Sequence, residues 1–168
     1  MLEKRIFPKI IAVNPGWRYL AIAVFDKHGL REWRLKSLAA KSVKAKLKKV
    51  VEILDCFIER YNPEVLTIKR FHPSRSSTNL EAIEAGISAY CQTKKIALFS
   101  YSIKELEKIV LDSDRANRRE MIKALILCYP ELSREFKREE QNRNPYFVRL
   151  FEAVALGHVF LKALNNKY

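Results

Sequence analysis

Glycine is scarce, with four residues in a chain of 168. That scarcity leaves no room for a glycine-rich phosphate loop. Cys56, Cys91 and Cys128 are odd in number, far apart and form no CxxC pair. They fit reduced thiols and exclude a disulfide frame or zinc site, so a cytoplasmic protein is expected. No window reaches about 18 uninterrupted apolar residues, and the opening MLEKRIFPK lacks the long apolar stretch of a signal peptide. Neither a membrane span nor a membrane partner is expected. Repeats, low-complexity tracts and long Gly/Ser linkers are absent too, which predicts one domain over 1–168. Acid is also in short supply: 19 Asp and Glu face 32 Lys and Arg, for a formal charge of +13.

What remains is a globular composition, 48% hydrophobic and 30% charged. The positive excess points to an anionic partner. Nucleic acid leads, because a polyphosphate releases counterions to clustered Lys and Arg. An acidic membrane surface is the plainer rival. The charge is concentrated: residues 27–49 hold nine Lys or Arg and one acid, Glu32. Arg31, Arg34, Lys36 and the five lysines of KSVKAKLKK (Lys41, Lys44, Lys46, Lys48 and Lys49), with Trp33 among them, form a candidate phosphate-contacting surface that would read no sequence. A solvated helix face is the alternative.

The hydrophobic pattern gives the order of elements. Ile10–Val13 and Leu20–Phe25 read as buried strands around the turn Asn14-Pro15-Gly16, and Leu30–Leu38 as a third strand. Three strands with tight turns are antiparallel neighbours. Val43, Leu47, Val50, Val51, Leu54, Phe57, Ile58 and Tyr61 keep helical spacing, with Lys41, Lys44 and Lys48 on another face. Asn62-Pro63 ends that helix. A fourth strand over Glu64–Phe71 has an apolar centre, Val65 to Ile68, suited to burial on both faces of a parallel sheet. Thr78 with Glu81, and Ser102 with Glu105, match the capping box. A fifth strand over Lys95–Ser100 lies between them. Asn117-x-x-Glu120 opens a helix that ends near Tyr129-Pro130, and Asn144-Pro145 opens the last one. Three strands, helix, strand, helix, strand and helices specify an α/β layer fold with a mixed sheet.

These segments resemble a family. "IIAVNPGWRYLAIAVFD" resembles the opening of the RuvC-type Holliday-junction resolvases, where an apolar strand ends in Asp-Pro-Gly. "NPEVLTIKRF" resembles their fourth strand, "KIALFSYSIKELEKIV" the fifth strand and a Tyr-x-x-x-x-Lys segment with Lys104 at the Lys, and "YFVRLFEAVALGHVF" their last helix. The resemblance covers nearly the whole chain in order and spacing. It implies a ribonuclease-H-like fold, a five-stranded mixed sheet of three antiparallel strands then two parallel ones, flanked by helices. It also implies Holliday-junction DNA as partner, DNA recombination as the setting and a homodimer as the acting form. The apolar Ile83, Ile87 and Tyr90 suit an interface and a core equally well.

In that family the first strand, the fourth strand and the last helix gather acids around two divalent metals, which stabilise the attacking and leaving oxygens of phosphodiester cleavage. Matched residue by residue, Asn14 stands where the family has Asp, Lys69 where it has Glu, and Arg149 where another acid is usual. Glu152 is the remaining carboxylate. An ammonium has three donors and no lone pair. Two cations about 4 Å apart repel by roughly 1 kcal/mol in water and more inside a protein. The catalytic centre therefore reads as not intact and the chain as a pseudoenzyme with no metal and no cofactor. A buried Glu152 needs a partner, and Lys69 is the candidate. The plainer reading makes Arg149 and Glu152 a surface helix pair worth a few tenths of a kcal/mol.

Trp17 could stack on an unpaired base or fill the cleft vacated by metals. Arg70, His72 and Arg75 follow the fourth strand, where the family holds a loop that enters the junction; Arg115, Arg118 and Arg119 cluster at a helix start that also favours anions. Both groups extend a nucleic-acid track. His158 lies about 240° around the helix from Glu152 and reads as a core or subsite histidine. The expected function is binding of branched or structured DNA without cleavage. Two other readings stand beside it. One is a divergent Mg²⁺- or Mn²⁺-dependent endonuclease that recruits Asp112, Asp114 or Glu84. The other is a protein-interaction scaffold for an acidic partner. An ATPase of the actin or Hsp70 type is set aside, because no Thr/Gly phosphate loop follows Asn14-Pro15-Gly16.

Overall fold

A computed structural model describes residues 7–71, 74, 77–141 and 147–166. His72, Arg75 and the Asn144-Pro145 helix start lie outside them. β1 (Ile10–Pro15) is buried at every position and β2 (Tyr19–Asp26) along all but its ends. The cause is a sheet with a core on each face, so alternate residues enter different cores. Ile10, Ala12, Ala21, Ala23 and Phe25 enter one core, and Ile11, Val13, Leu20, Ile22 and Val24 the other. β3 (Gly29–Ser37) pairs antiparallel with β2, while β4 (Val65–Lys69) lies parallel beside β1 and β5 (Ala97–Tyr101) parallel beside β4. The order is β3-β2-β1-β4-β5, the mixed five-stranded sheet that the sequence leads one to expect.

One face is covered by α1 (Val43–Tyr61) and α2 (Thr78–Lys94), through Val50, Leu54, Phe57, Ile83, Ile87 and Tyr90. Ile83, Ile87 and Tyr90 thus belong to the core. The other face is covered by α6 (Val148–Asn166), with α3 (Ile103–Leu111), α4 (Arg118–Cys128) and α5 (Ser133–Gln141) packed around it. α6 is buried from Leu150 to Gly157, as its all-round apolar sequence demands. A Cβ on Gly157 would lie 2.0 Å from the Phe25 ring, so the helix can approach the sheet only with glycine there.

Hydroxyls and amides fix the helix starts. Ser42, Ser102 and Asn117 accept the amides of Ala45, Glu105 and Glu120, and Glu105 completes its capping box. The α2 cap is Ser77, which accepts Leu80 N–H, and Thr78 is already helical. Ser77 holds the extended backbone that a cap needs, so the hydroxyl one residue before the expected one takes the position. Lys95, expected in a strand, is instead the left-handed residue that ends α2. Among the described residues no helix is long and apolar enough to cross a membrane. All three cysteines are free; burial raises the Cys91 thiol to about 11, while Cys56 and Cys128 are exposed.

Candidate functional site

Val13 pairs with Ile68 across the parallel β1–β4 ladder, so the next residues, Asn14 and Lys69, stand at adjacent strand ends. Both occupy the alternation class that faces α6, and Glu152 lies in the second turn of that helix. The three side chains meet. Asn14 Nδ2 donates to Glu152 Oε2 at 2.8 Å and to the Arg149 carbonyl at 3.1 Å. Lys69 Nζ donates to the same Oε2 at 2.6 Å. The other oxygen, Oε1, pairs with Arg118 Nε from the start of α4 at 3.0 Å. The Glu152 side chain is 3% exposed, against 12% for Lys69 and 46% for Arg118. A carboxylate taken this far out of water requires charged partners, and it has two. The expected Lys69–Glu152 pair is present; an Arg149–Glu152 helix pair is not among the ion pairs of the described residues.

Arg149 instead sends its guanidinium over Gly16. A Cβ on Gly16 would sit 2.4 Å from one terminal nitrogen and 2.7 Å from Cζ, so glycine is what lets the guanidinium lie there. One carboxylate is therefore held between the cations of Lys69 and Arg118, and Arg149 adds a third cation at Gly16, two residues beyond Asn14. A divalent ion prefers anionic oxygens, and the carboxylate of this cluster already has both oxygens committed to an ammonium and a guanidinium. These residues do not fit a divalent cation.

The basic stretch divides across the sheet. Because β3 alternates, Glu32, Arg34 and Lys36 face α1, while Trp33 and Leu35 pack against the α6 side. Trp33 Nε1 donates to Glu135 at 3.0 Å and Arg31 pairs with Asp26 at 3.3 Å. On the α1 side, Arg34, Lys36, Lys49 and Arg60 line a groove of about 520 Å³. Glu32 lies in it, bonded by Tyr61, Arg34 and Arg60. Burial works to raise its carboxyl, but those three partners outweigh it and hold the group below its ordinary value. Lys41, Lys44 and Lys48 are exposed on or just before α1.

One terminal nitrogen of Arg70 donates to both oxygens of Glu105, each at 2.9 Å. Burial again opposes ionisation of Glu105, yet the Ser102 amide and Arg70 keep it below its usual range. Lys104 pairs with buried Glu107 at 3.0 Å. Arg115 and Arg119 are exposed. Of the acids weighed for a displaced metal, Asp114 pairs with Lys108 at 2.8 Å, Asp112 ends α3, and Glu84 is raised by burial, with Glu81 adding and Arg70 opposing. None of them bonds to the Glu152 cluster among the described residues. His158 hydrogen-bonds Tyr129 at 2.8 Å and packs edge-on to its ring, as a core histidine does.

Lys46, expected with its neighbouring lysines on the phosphate-contacting surface, is instead buried. It is 4% exposed, and its ammonium donates to the Trp17 carbonyl at 2.7 Å and the Leu38 carbonyl at 2.6 Å. The same nitrogen lies 4.4 Å from the Trp17 ring centroid. One face of Trp17 is thereby occupied, and the β1–β2 turn is tied to α1. The signal was there: Lys46 lies four residues before Val50 and three after Val43, on the apolar stripe.

Comparison with known proteins bears on this arrangement through structure. No protein-family model matches the sequence, and no curated protein matches it. Among solved structures, Thermus thermophilus RuvC in complex with a Holliday junction substrate aligns at 12% identity and a TM-score of 0.70, over 94% of this chain and 96% of that one. The yeast mitochondrial Holliday junction resolvase Ydc2 aligns at 14% identity and TM-score 0.68, over 99% and 84%. A fowlpox virus resolvase in complex with Holliday junction DNA aligns at 16% and 0.59, over 93% and 98%. The chain has the fold of RuvC and related resolvases, which is the ribonuclease-H-like α/β architecture expected from its segments.

Proposed function

We propose that this protein binds branched or structured nucleic acid, DNA in the first place, without cleaving it. The observation that carries this reading is the occupation of Glu152: both oxygens of the buried carboxylate are held by side chains, and two of those side chains are cations. A cluster so composed favours a bound anion over a bound metal. The fold similarity to proteins solved with Holliday junction DNA supports the choice of ligand. The contact surface would include Lys36, Lys41, Lys44 and Lys48 on one side of the cluster and Arg70, Arg118 and Arg119 on the other. The acting form in this reading is a single-domain homodimer.

The test is binding and cleavage measured together. A labelled four-way junction and a matched duplex are titrated with protein, with and without Mg²⁺ or Mn²⁺, at two salt concentrations. Junction-preferring, salt-sensitive binding without products is the expected result. Metal-dependent cleavage that Glu152→Ala abolishes would overturn the reading. Absence of binding to both DNAs would redirect it to RNA or an acidic protein.

A further inference from the structure

Arg149, half-buried one turn before Glu152 on α6, lays its guanidinium over Gly16, and among the described residues that guanidinium has no hydrogen-bond or ion-pair partner. The other long cation there, Arg118, commits only Nε to Glu152. A guanidinium offers five N–H donors in a planar fork that matches two oxygens of a phosphate. A half-buried fork with no protein acceptor keeps donors open to an anionic oxygen. The backbone is shaped around it: Gly16 vacates the space that the guanidinium occupies, 2.4 Å from where a Cβ would be. Nor does the nearby carboxylate pair with it: Glu152 takes Lys69 and Asn14 on Oε2 and Arg118 on Oε1.

We infer that Arg149, seated over Gly16, binds one backbone phosphate of the nucleic acid directly. Glu152 is the positioning residue of this seat. It fixes Arg118 and Lys69 while leaving two of the three positive charges uncompensated. The phosphate therefore occupies a cationic cluster with no metal between it and the protein. This inference rests on the nucleic-acid-binding reading above and names the contact that the converted centre makes.

Junctions carrying single methylphosphonates, walked across the crossover strands, locate the contact. Wild-type protein loses about tenfold in affinity when the seated phosphate is neutralised. Arg149→Gln binds the unmodified junction about tenfold more weakly, has a salt slope shallower by about one, and no longer responds to that methylphosphonate. Gly16→Ala behaves the same way because its Cβ displaces the guanidinium, and thermal melts verify that both variants fold. Equal affinity of Arg149→Gln and wild type would overturn the seat and leave junction binding standing. An unchanged methylphosphonate profile in Arg149→Gln would do the same. Calorimetric binding of inorganic phosphate by wild type, with no position-dependent methylphosphonate effect, would make the seat one for a free anion and also overturn it. Wild type that binds neither junction nor duplex would sink the wider reading, and the seat with it.

Discussion

Glu152 gathers more polar contacts than any other described side chain near the end of β1, and its energetics follow from how they are shared. Removing one partner of a buried pair typically costs about 3–5 kcal/mol, because the remaining charge is left uncompensated. Lys69→Met leaves Arg118 on Oε1, so a loss of about 2–3 kcal/mol is expected by urea denaturation. Glu152→Gln strands the nearly buried Lys69 and is expected to lose a comparable amount. The double variant should lose less than the sum of the singles, since the first change already breaks the shared pair. Two singles within about 0.5 kcal/mol of wild type would reduce the cluster to a solvated surface contact. Lys69 with Glu152 was legible in the sequence, because a strand end and a buried helical acid could be matched. Sequence alone groups Arg118 with a surface track, since no local pattern tells which way a helix-start arginine swings. The seat of Arg149 depends on a glycine 133 positions away, a tertiary coincidence that spacing does not encode.

At the scale of elements, α6 carries both the site and a titrating group remote from it. His158 faces Tyr129 from the α4–α5 side, and Lys162 one turn along its own helix. Burial, then the Lys162 charge, lowers the histidine below its ordinary value. The unfolded chain therefore binds the proton more readily than the folded one. Stability contributed by neutral His158 is fully present above about pH 6.5 and is lost as pH falls below it. Melting temperatures recorded from pH 8 down to pH 5.5 should decline in wild type and decline less in His158→Gln. Parallel curves would remove the histidine as the cause. Element boundaries were readable wherever a cap and a hydrophobic period agreed, as at Ser102 and Asn117. They slipped where two hydroxyls compete, as at Ser77 and Thr78, and where a lysine takes the left-handed position that glycine usually fills, as at Lys95.

For the whole molecule, the formal charge of +13 works against compaction. The ion pairs offset it locally, but Lys41, Lys44, Lys48 and Arg119 remain exposed. Screening should therefore stabilise the free protein, and its melting temperature should rise between 20 and 300 mM NaCl over the same range in which DNA binding weakens. A melting temperature that fell with salt would mean that attractive pairs such as Arg70–Glu105 dominate. The architecture was legible at this scale because each strand has a distinctive burial pattern, with β1, β2 and β4 apolar on both faces and β3 polar on one. The division of the basic stretch was not, since a run of cations reads alike whether it lies on one surface or is split by a strand's alternation.

The shared oxygen of Glu152 also constrains how this protein can change over generations. Asn14→Asp alone would set a second carboxylate where an amide now donates at 2.8 Å. Lys69→Glu alone would remove the ammonium and add like charge at the same oxygen. Neither substitution alone builds an acidic cluster, because the remaining cations stay in place around Glu152. The interlock acts as a ratchet: with amide, ammonium and guanidinium packed around one carboxylate, an acidic cluster lies several substitutions away.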